Sequence, residues 1–234
     1  MNRKTNESIR SKILGICLIL AGFVIAIFAF SQLLDKDNTY INIERSGERI
    51  ENSIFYKYDG KIYALIPSGG YYIVEGADID SFSVIKSENT YDSSVVGKDK
   101  NYVYFGNVKI KDLNPKEITN IGNGYYTDGK TTYFCSLLSE RNKEISYLSD
   151  AFGNIVHIFN KNYKPKSYIY PYHKLNTEKK ITKINNLIYF ATDGDVLYYE
   201  GKSLENADIN TIKQISKLGE YFSDKGSYQY PSLS

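Results

Sequence analysis

The chain has 234 residues, 15% of them aromatic through 23 Tyr and 11 Phe with no Trp, 24% charged, and a formal net charge of +2. That length allows one sizeable domain with a terminal appendage, and two cysteines, Cys17 and Cys135, exclude a disulfide-stapled scaffold. Residues 1–34 hold four basic residues and one acidic residue, so the remainder is close to neutral and lacks the basic surface that nucleic-acid binding requires.

Residues 1–12 read as a short tail carrying Arg3, Lys4, Arg10 and Lys12. From Ile13 to Phe30 there follow 18 residues without a charge. At 1.5 Å per residue that run reaches about 27 Å, and extension to Leu34 brings it to bilayer thickness, so residues 13–34 are predicted as a transmembrane helix. Basic residues remain on the cytoplasmic side, which predicts a single-pass protein of the inner or cytoplasmic membrane with its C-terminal domain outside the cytoplasm. Cleavage of a signal peptide before Gln32, after Ala29-Phe30-Ser31, is the competing reading, although the apolar run exceeds the usual signal length. A lipoprotein site at Cys17 is disfavoured, because Ile16 rather than a small residue precedes it. Residues 35–52 read as a polar connector.

From residue 53 onward the chain repeats itself. The copies read Asp59-Gly60-Lys61-Ile62-Tyr63, Asp99-Lys100-Asn101-Tyr102-Val103-Tyr104-Phe105, Asp128-Gly129-Lys130-Thr131-Thr132-Tyr133-Phe134, Asp193-Gly194-Asp195-Val196-Leu197-Tyr198-Tyr199 and Asp224-Lys225-Gly226-Ser227-Tyr228. The aspartates lie 40, 29, 65 and 31 positions apart, an interval near 30 if one degenerate copy occupies the longest gap, where Asp150-Ala151-Phe152-Gly153-Asn154-Ile155-Val156 is the candidate. Aromatic lead-ins such as Phe55-Tyr56, Tyr125-Tyr126, Tyr189-Phe190 and Tyr221-Phe222 favour strands, and Asp-Gly tolerates the positive φ of a tight two-residue turn, so each copy is predicted as a β-hairpin. Three copies carry a downstream segment (77–85, 111–121 and 207–215) that alternates apolar and polar residues after an Asp-containing turn, which adds a third strand to each unit. The expected fold is all-β: tandem three-stranded hairpin repeats over 53–234, in a curved or propeller-like array behind one N-terminal transmembrane helix.

The stretch Asp99-Lys100-Asn101-Tyr102 nearly spells the signature of the bacterial DKNYY repeat family, and the Ala-Asp turns downstream resemble that family's second half. The resemblance runs from about Phe55 to Tyr228 and is weak between Leu137 and Asn186. It implies a repeat architecture and no particular reaction.

The repeated aspartates are the natural site candidates, but an aspartate at a turn start bonds its own backbone two residues on, which accounts for each of them structurally. Asp193-Gly194-Asp195 and Asp78-Ile79-Asp80 each pair two carboxylates, yet the dense oxygen-ligand loop of a calcium site is missing, so no metal or cofactor is expected. Cys135 reads as a small buried residue, and neither His157 nor His173 sits in a nucleophile-base motif. No phosphate loop, zinc-protease motif or nucleophile elbow is present, and the chain is not expected to be an enzyme. Tyr168, Tyr170 and Tyr172 alternate with Ile169 and Pro171 and form a candidate binding platform for sugar rings or a partner protein, or else belong to a core. The expected role is binding or scaffolding in the bacterial envelope, with an envelope protein or glycan as partner. The alternatives are a carbohydrate-active or cell-wall-modifying enzyme, which needs two facing carboxylates, and a structural subunit of a larger envelope complex.

Overall fold

The computed structural model describes residues 3–88, 93–160, 162–204, 207–214, 222–225 and 227–229. Tyr221, Gly226 and Ile215, which belong to the repeat pattern, lie outside them. The chain forms two compact units, Met1–Ser46 with Ile145–Pro165, and Gly47–Glu144 with Lys166–Ser234.

In the first unit, α1 runs from Arg3 to Ser46. Its stretch Ile13–Ser31 is long and apolar enough to cross a membrane, and none of it is buried. The helix continues through most of the expected polar connector, because no Gly or Pro interrupts the sequence from Phe23 to Ser46, and it stops at Gly47.

The second unit is a series of small antiparallel sheets. The first contains β1 (Glu48–Arg49), β2 (Phe55–Tyr58), β3 (Lys61–Ile66) and β4 (Gly70–Ile73), in that order. The second repeats the order with β5 (Ser83–Val84), β6 (Val96–Lys98), β7 (Val103–Phe105) and β8 (Val108–Ile110). The third begins with β9 (Thr119–Gly122), β10 (Tyr125–Thr127) and β11 (Thr132–Cys135). There an insertion intervenes, made of β12 (Glu140–Arg141), α2 (Tyr147–Phe159) and β13 (Tyr168–Ile169), before β14 (Tyr172–Lys174) completes the sheet against β11. The fourth holds β15 (Thr182–Lys183), β16 (Phe190–Thr192), β17 (Leu197–Tyr199) and β18 (Lys202–Leu204), and the fifth β19 (Lys213–Gln214), β20 (Phe222–Asp224) and β21 (Ser227–Gln229).

Three expectations change. Four strands, not three, make a unit, because the downstream segments of the sequence pattern supply the first strand of the next sheet: β5, β9 and β19 each pair with the hairpin that follows them. The long gap holds the insertion rather than a degenerate copy, and Asp150–Val156 is helical, started by Ser146, whose hydroxyl accepts the Ser149 N–H at 3.1 Å. Of the three Asp-Gly pairs, Asp59-Gly60 alone forms the expected two-residue turn, with φ of 47° and 67° and Tyr58 opposite Lys61. In the second, third and fourth copies the aspartate opens a four-residue loop, closed by the Asp99 N–H to Tyr102, the Asp128 N–H to Thr131 and the Asp193 N–H to Val196.

These aspartates organise the fold. Asp99 Oδ1 accepts the N–H groups of Asn101 and Tyr102, both at 2.7 Å, while Oδ2 accepts the Asp78 N–H at 2.9 Å and the Tyr104 hydroxyl at 2.8 Å. Asp128 accepts from Lys130 and Thr131 within its loop and from the Asn114 N–H at 2.9 Å. Asp193 accepts from Asp195 and Val196, and from the hydroxyls of Thr177 and Tyr198 at 3.0 Å each. Asp224 accepts the Asp208 N–H at 3.1 Å. Each carboxylate thus ties its hairpin loop to the segment that feeds the first strand of the same sheet.

Neighbouring sheets share cores. The first three pack one cluster that includes Phe55, Ile62, Val96, Tyr104, Phe105 and Tyr126. Tyr125, Phe134, Ala191 and Tyr198 join the third sheet to the fourth, and Phe190, Tyr199 and Phe222 join the fourth to the fifth. Ring pairs such as Phe190 with Phe222, at 5.2 Å and 88°, are edge-to-face contacts worth about 0.5–1.5 kcal/mol beyond area burial. Among the described residues the sheets stay separate and none closes into a barrel.

Two predictions follow from the carboxylates. Asp99→Ala removes the acceptor of the buried Tyr104 hydroxyl and of three partly buried backbone N–H groups and lowers stability by about 2–4 kcal/mol, whereas Asp59→Ala, at an exposed turn, costs well under that; urea unfolding of the two variants distinguishes them. Burial pushes the Asp99, Asp128 and Asp193 carboxyls up, but the hydrogen bonds they accept outweigh it and leave all three below the ordinary value, Asp193 at about 2. A depressed native pKa contributes stability that is complete above the unfolded value of about 4 and disappears as pH falls toward the native one. The unfolding midpoint is therefore expected to hold from neutrality to about pH 4 and to drop between there and about pH 2, with a smaller drop in Asp193→Asn.

Candidate functional site

With the aspartates engaged in holding loops, a site with room for a ligand is a cavity of about 910 Å³ within the β-repeat unit. Its walls come from equivalent positions of four repeats. Ile54, Val95, Gly124 and Tyr189 each stand immediately before the second strand of their sheet, and all four line the cavity. The carbonyls of these residues accept the N–H groups of Leu65, Gly106, Cys135 and Glu200 at 2.8, 2.8, 2.8 and 3.1 Å, so the same backbone bond fixes each wall. The repeat therefore builds the cavity as well as the sheets.

Its lining mixes aromatic and aliphatic side chains with polar ones. Arg49 donates through Nη2 to Ser93 Oγ at 2.9 Å and through Nε to the Ser53 carbonyl at 2.7 Å. Glu88 pairs with Lys183, and Asn123 reaches the carbonyls of Ile184, Leu187 and Phe190 at 2.8–3.0 Å. The hydroxyls of Tyr126 and Tyr170 have no protein hydrogen-bond partner among the described residues, and both residues line the cavity. Burial raises the pKa of both phenols, that of Tyr170 to about 12, so they stay protonated and able to donate. At the mouth, Leu138 is 71% exposed. A volume of this size with apolar walls and a few polar tips falls in the range of small-ligand sites.

The three tyrosines singled out by the sequence fall in different places. Tyr168 sits in β13 and Tyr172 in β14, both half-buried against the first core cluster, while Tyr170 between the two strands is buried and reaches the cavity. Tyr172 also packs its ring 5.9 Å from Phe105. Of the three, Tyr170 belongs to the site. Nothing in the sequence flags Ile54, Val95 or Gly124, and Tyr189 stands out only as an aromatic lead-in, because their common role depends on the bond each carbonyl makes to a neighbouring strand.

Cys135 is fully buried; burial raises its thiol pKa, and Sγ lies 3.7 Å from the Ser136 carbonyl. His173 stands opposite Phe134 in the β11–β14 ladder, while Cys135 faces Tyr172. The paired carboxylates are engaged, Asp195 with Lys179, and Asp78 with Lys100 at 2.7 Å and with the Ser81 hydroxyl at 2.6 Å. Among the described residues no three His, Cys, Asp or Glu side chains are grouped to hold a metal.

A putative BTB/POZ domain-containing protein, L76, of Acanthamoeba polyphaga mimivirus is 25% identical to this chain over 211 residues, covering 79% of the chain and 35% of the viral protein. The chain thus spans about a third of the length of that curated relative. No solved structure matches. The DKNYY family pattern matches residues 55–232, from the first residue of β2 to beyond β21, and by that match the chain belongs to the DKNYY family.

Proposed function

We propose that this is a membrane-anchored binding protein of the bacterial envelope, whose β-repeat domain lies outside the cytoplasm and holds a segment of envelope glycan in the cavity. The observation that carries the reading is the cavity itself: four repeats contribute equivalent positions to one space where two protonated tyrosine hydroxyls lack protein partners among the described residues. Apolar ring faces tipped with hydroxyl donors suit a sugar chain, which offers apolar faces and many acceptors. The shared cores of successive sheets support a curved, propeller-like arrangement of the repeats.

A hydrolytic role receives less support. Glycoside hydrolysis uses two facing carboxylates, and among the described residues Glu88, paired with Lys183, is the one acid in the cavity lining. The N-terminal helix supports anchoring by its length and apolar surface, and the basic residues before it support an N-in orientation.

Detergent-solubilised full-length protein is expected to retain envelope glycan or peptidoglycan fractions. Leu138→Asp, which places a charge at the exposed mouth, should reduce retention about tenfold without loss of thermal stability. Equal retention by the variant, or retention of a defined membrane protein in place of glycan, would reject the glycan reading. For the orientation, protease added to intact cells is expected to digest the β-repeat domain; complete protection would reverse the assignment.

A further inference from the structure

Helix α2 presents the wrong face to solvent for a soluble protein. Leu148, Phe152, Ile155 and Phe159 follow one another at intervals of four, three and four residues, which places them on one side of the helix, and they are 53–85% exposed. The other side is turned inward with small and polar groups. Gly153 is buried against Pro165, where an added Cβ would stand 3.0 Å from the proline Cβ, and the buried His157 is hydrogen-bonded through Nδ1 to the Tyr163 carbonyl. The chain therefore covers the polar face and leaves the apolar one open.

What covers that face is indicated by the helix it touches. In the same unit, Phe159 stacks on Phe28 with centroids 5.6 Å apart and planes 24° from parallel. Phe28 lies near the C-terminal end of the apolar stretch Ile13–Ser31, the end assigned to the outer surface of the membrane. The exposed row of α2 thus continues the exposed apolar surface of the span. With 13 residues α2 is about 20 Å long, too short to cross the hydrocarbon layer but suited to lie along its surface. The flanking sequence supplies Arg141 and Lys143 before the helix and Lys161, Lys164 and Lys166 after it, against Glu140, Glu144 and Asp150.

The geometry points to a second membrane contact: α2 lies in the outer interface of the lipid bilayer beside the span, with Leu148, Phe152, Ile155 and Phe159 among the acyl chains. This inference rests on the anchor reading. Its occupant is lipid rather than a protein partner, because the row meets the span at the end of the apolar stretch. The insertion that carries α2 leaves and re-enters the third repeat through the β12–β13 ladder, so the chain joins the repeat domain to the bilayer at a second place in sequence.

The absence of tryptophan makes this directly testable, since one substitution creates a unique fluorophore. Full-length Phe152→Trp is reconstituted into phosphatidylcholine and phosphatidylglycerol vesicles, with Phe23→Trp as a reporter in the span and far-UV circular dichroism as a check on folding. The expected result for Phe152→Trp is a blue-shifted emission that is lost to bromine carried on the lipid chains near the headgroup and is shielded from aqueous acrylamide. Emission that is water-like, or blue-shifted but insensitive to brominated lipid, overturns the inference. If Phe23→Trp is quenched by brominated lipid and Phe152→Trp is not, the inference fails while the anchor stands. If neither is quenched, both fall. If Phe152→Trp alone is quenched, the span assignment fails and the placement of α2 beside the span falls with it.

Discussion

A buried carboxylate that finds its donors in the backbone is the interaction on which this fold depends. Among the described residues the strands are two to six residues long and no sheet has more than four, so a single unit buries too little apolar surface to persist by itself. In the second repeat Asp99 is 3% exposed and accepts from two groups of its own loop, from the turn before β5 and from Tyr104. A side chain without an acceptor could fill the space but would leave three partly buried backbone N–H groups without their acceptor and the Tyr104 hydroxyl with only the Gly76 carbonyl. The DKNY signature has a physical reading: the aspartate collects the donors, Lys100 and Asn101 make the loop, and Tyr102 supplies the carbonyl that closes it. The tyrosine two positions further on, Tyr104, clamps the second carboxylate oxygen.

The departures obey the same physics. In the third repeat Tyr133 occupies the place of Tyr104 but donates to Asp112 at 2.8 Å, and Lys174 from β14 meets the same carboxylate at 2.5 Å. The clamp thus passes to another acid where the fourth strand arrives from across the insertion. In the first repeat Asp59 adopts a left-handed backbone and its turn needs no external donor, consistent with its position at the start of the array. Once the loops are held, hydrophobic packing between sheets does the remaining work, and the cavity walls are positioned by the backbone bonds that join each second strand to the third.

The repeat, the strands and the apolar helix were legible in the sequence because each has a local signal: the Asp-turn-Tyr pattern, aromatic alternation, and an uncharged run. The structural role of the aspartates was legible for the same reason. Helix α2 was not, since Asp150-Ala151-Phe152-Gly153 mimics the opening of a repeat copy, while its true signals are the Ser146 cap and apolar residues at helical intervals. The offset between sequence unit and sheet was hidden because a segment such as 111–121 does not reveal which hairpin its strand will join. The cavity was hidden most deeply: its four equivalent residues share a backbone bond and no side-chain chemistry.

The insertion also divides the third sheet in time. Phe105 and Val108 close β7 on β8 across a two-residue turn, but Cys135 reaches its partner Tyr172 only after the chain has passed through β12, α2 and β13. Loop-closure entropy makes that pairing costlier by about 2 kcal/mol. During folding β11 therefore waits as an open edge while the sheets on either side can form from local contacts. A strand edge left open beside a half-built core is where another chain can add a strand, so the step most exposed to misassembly is the return of Tyr172 to the third repeat.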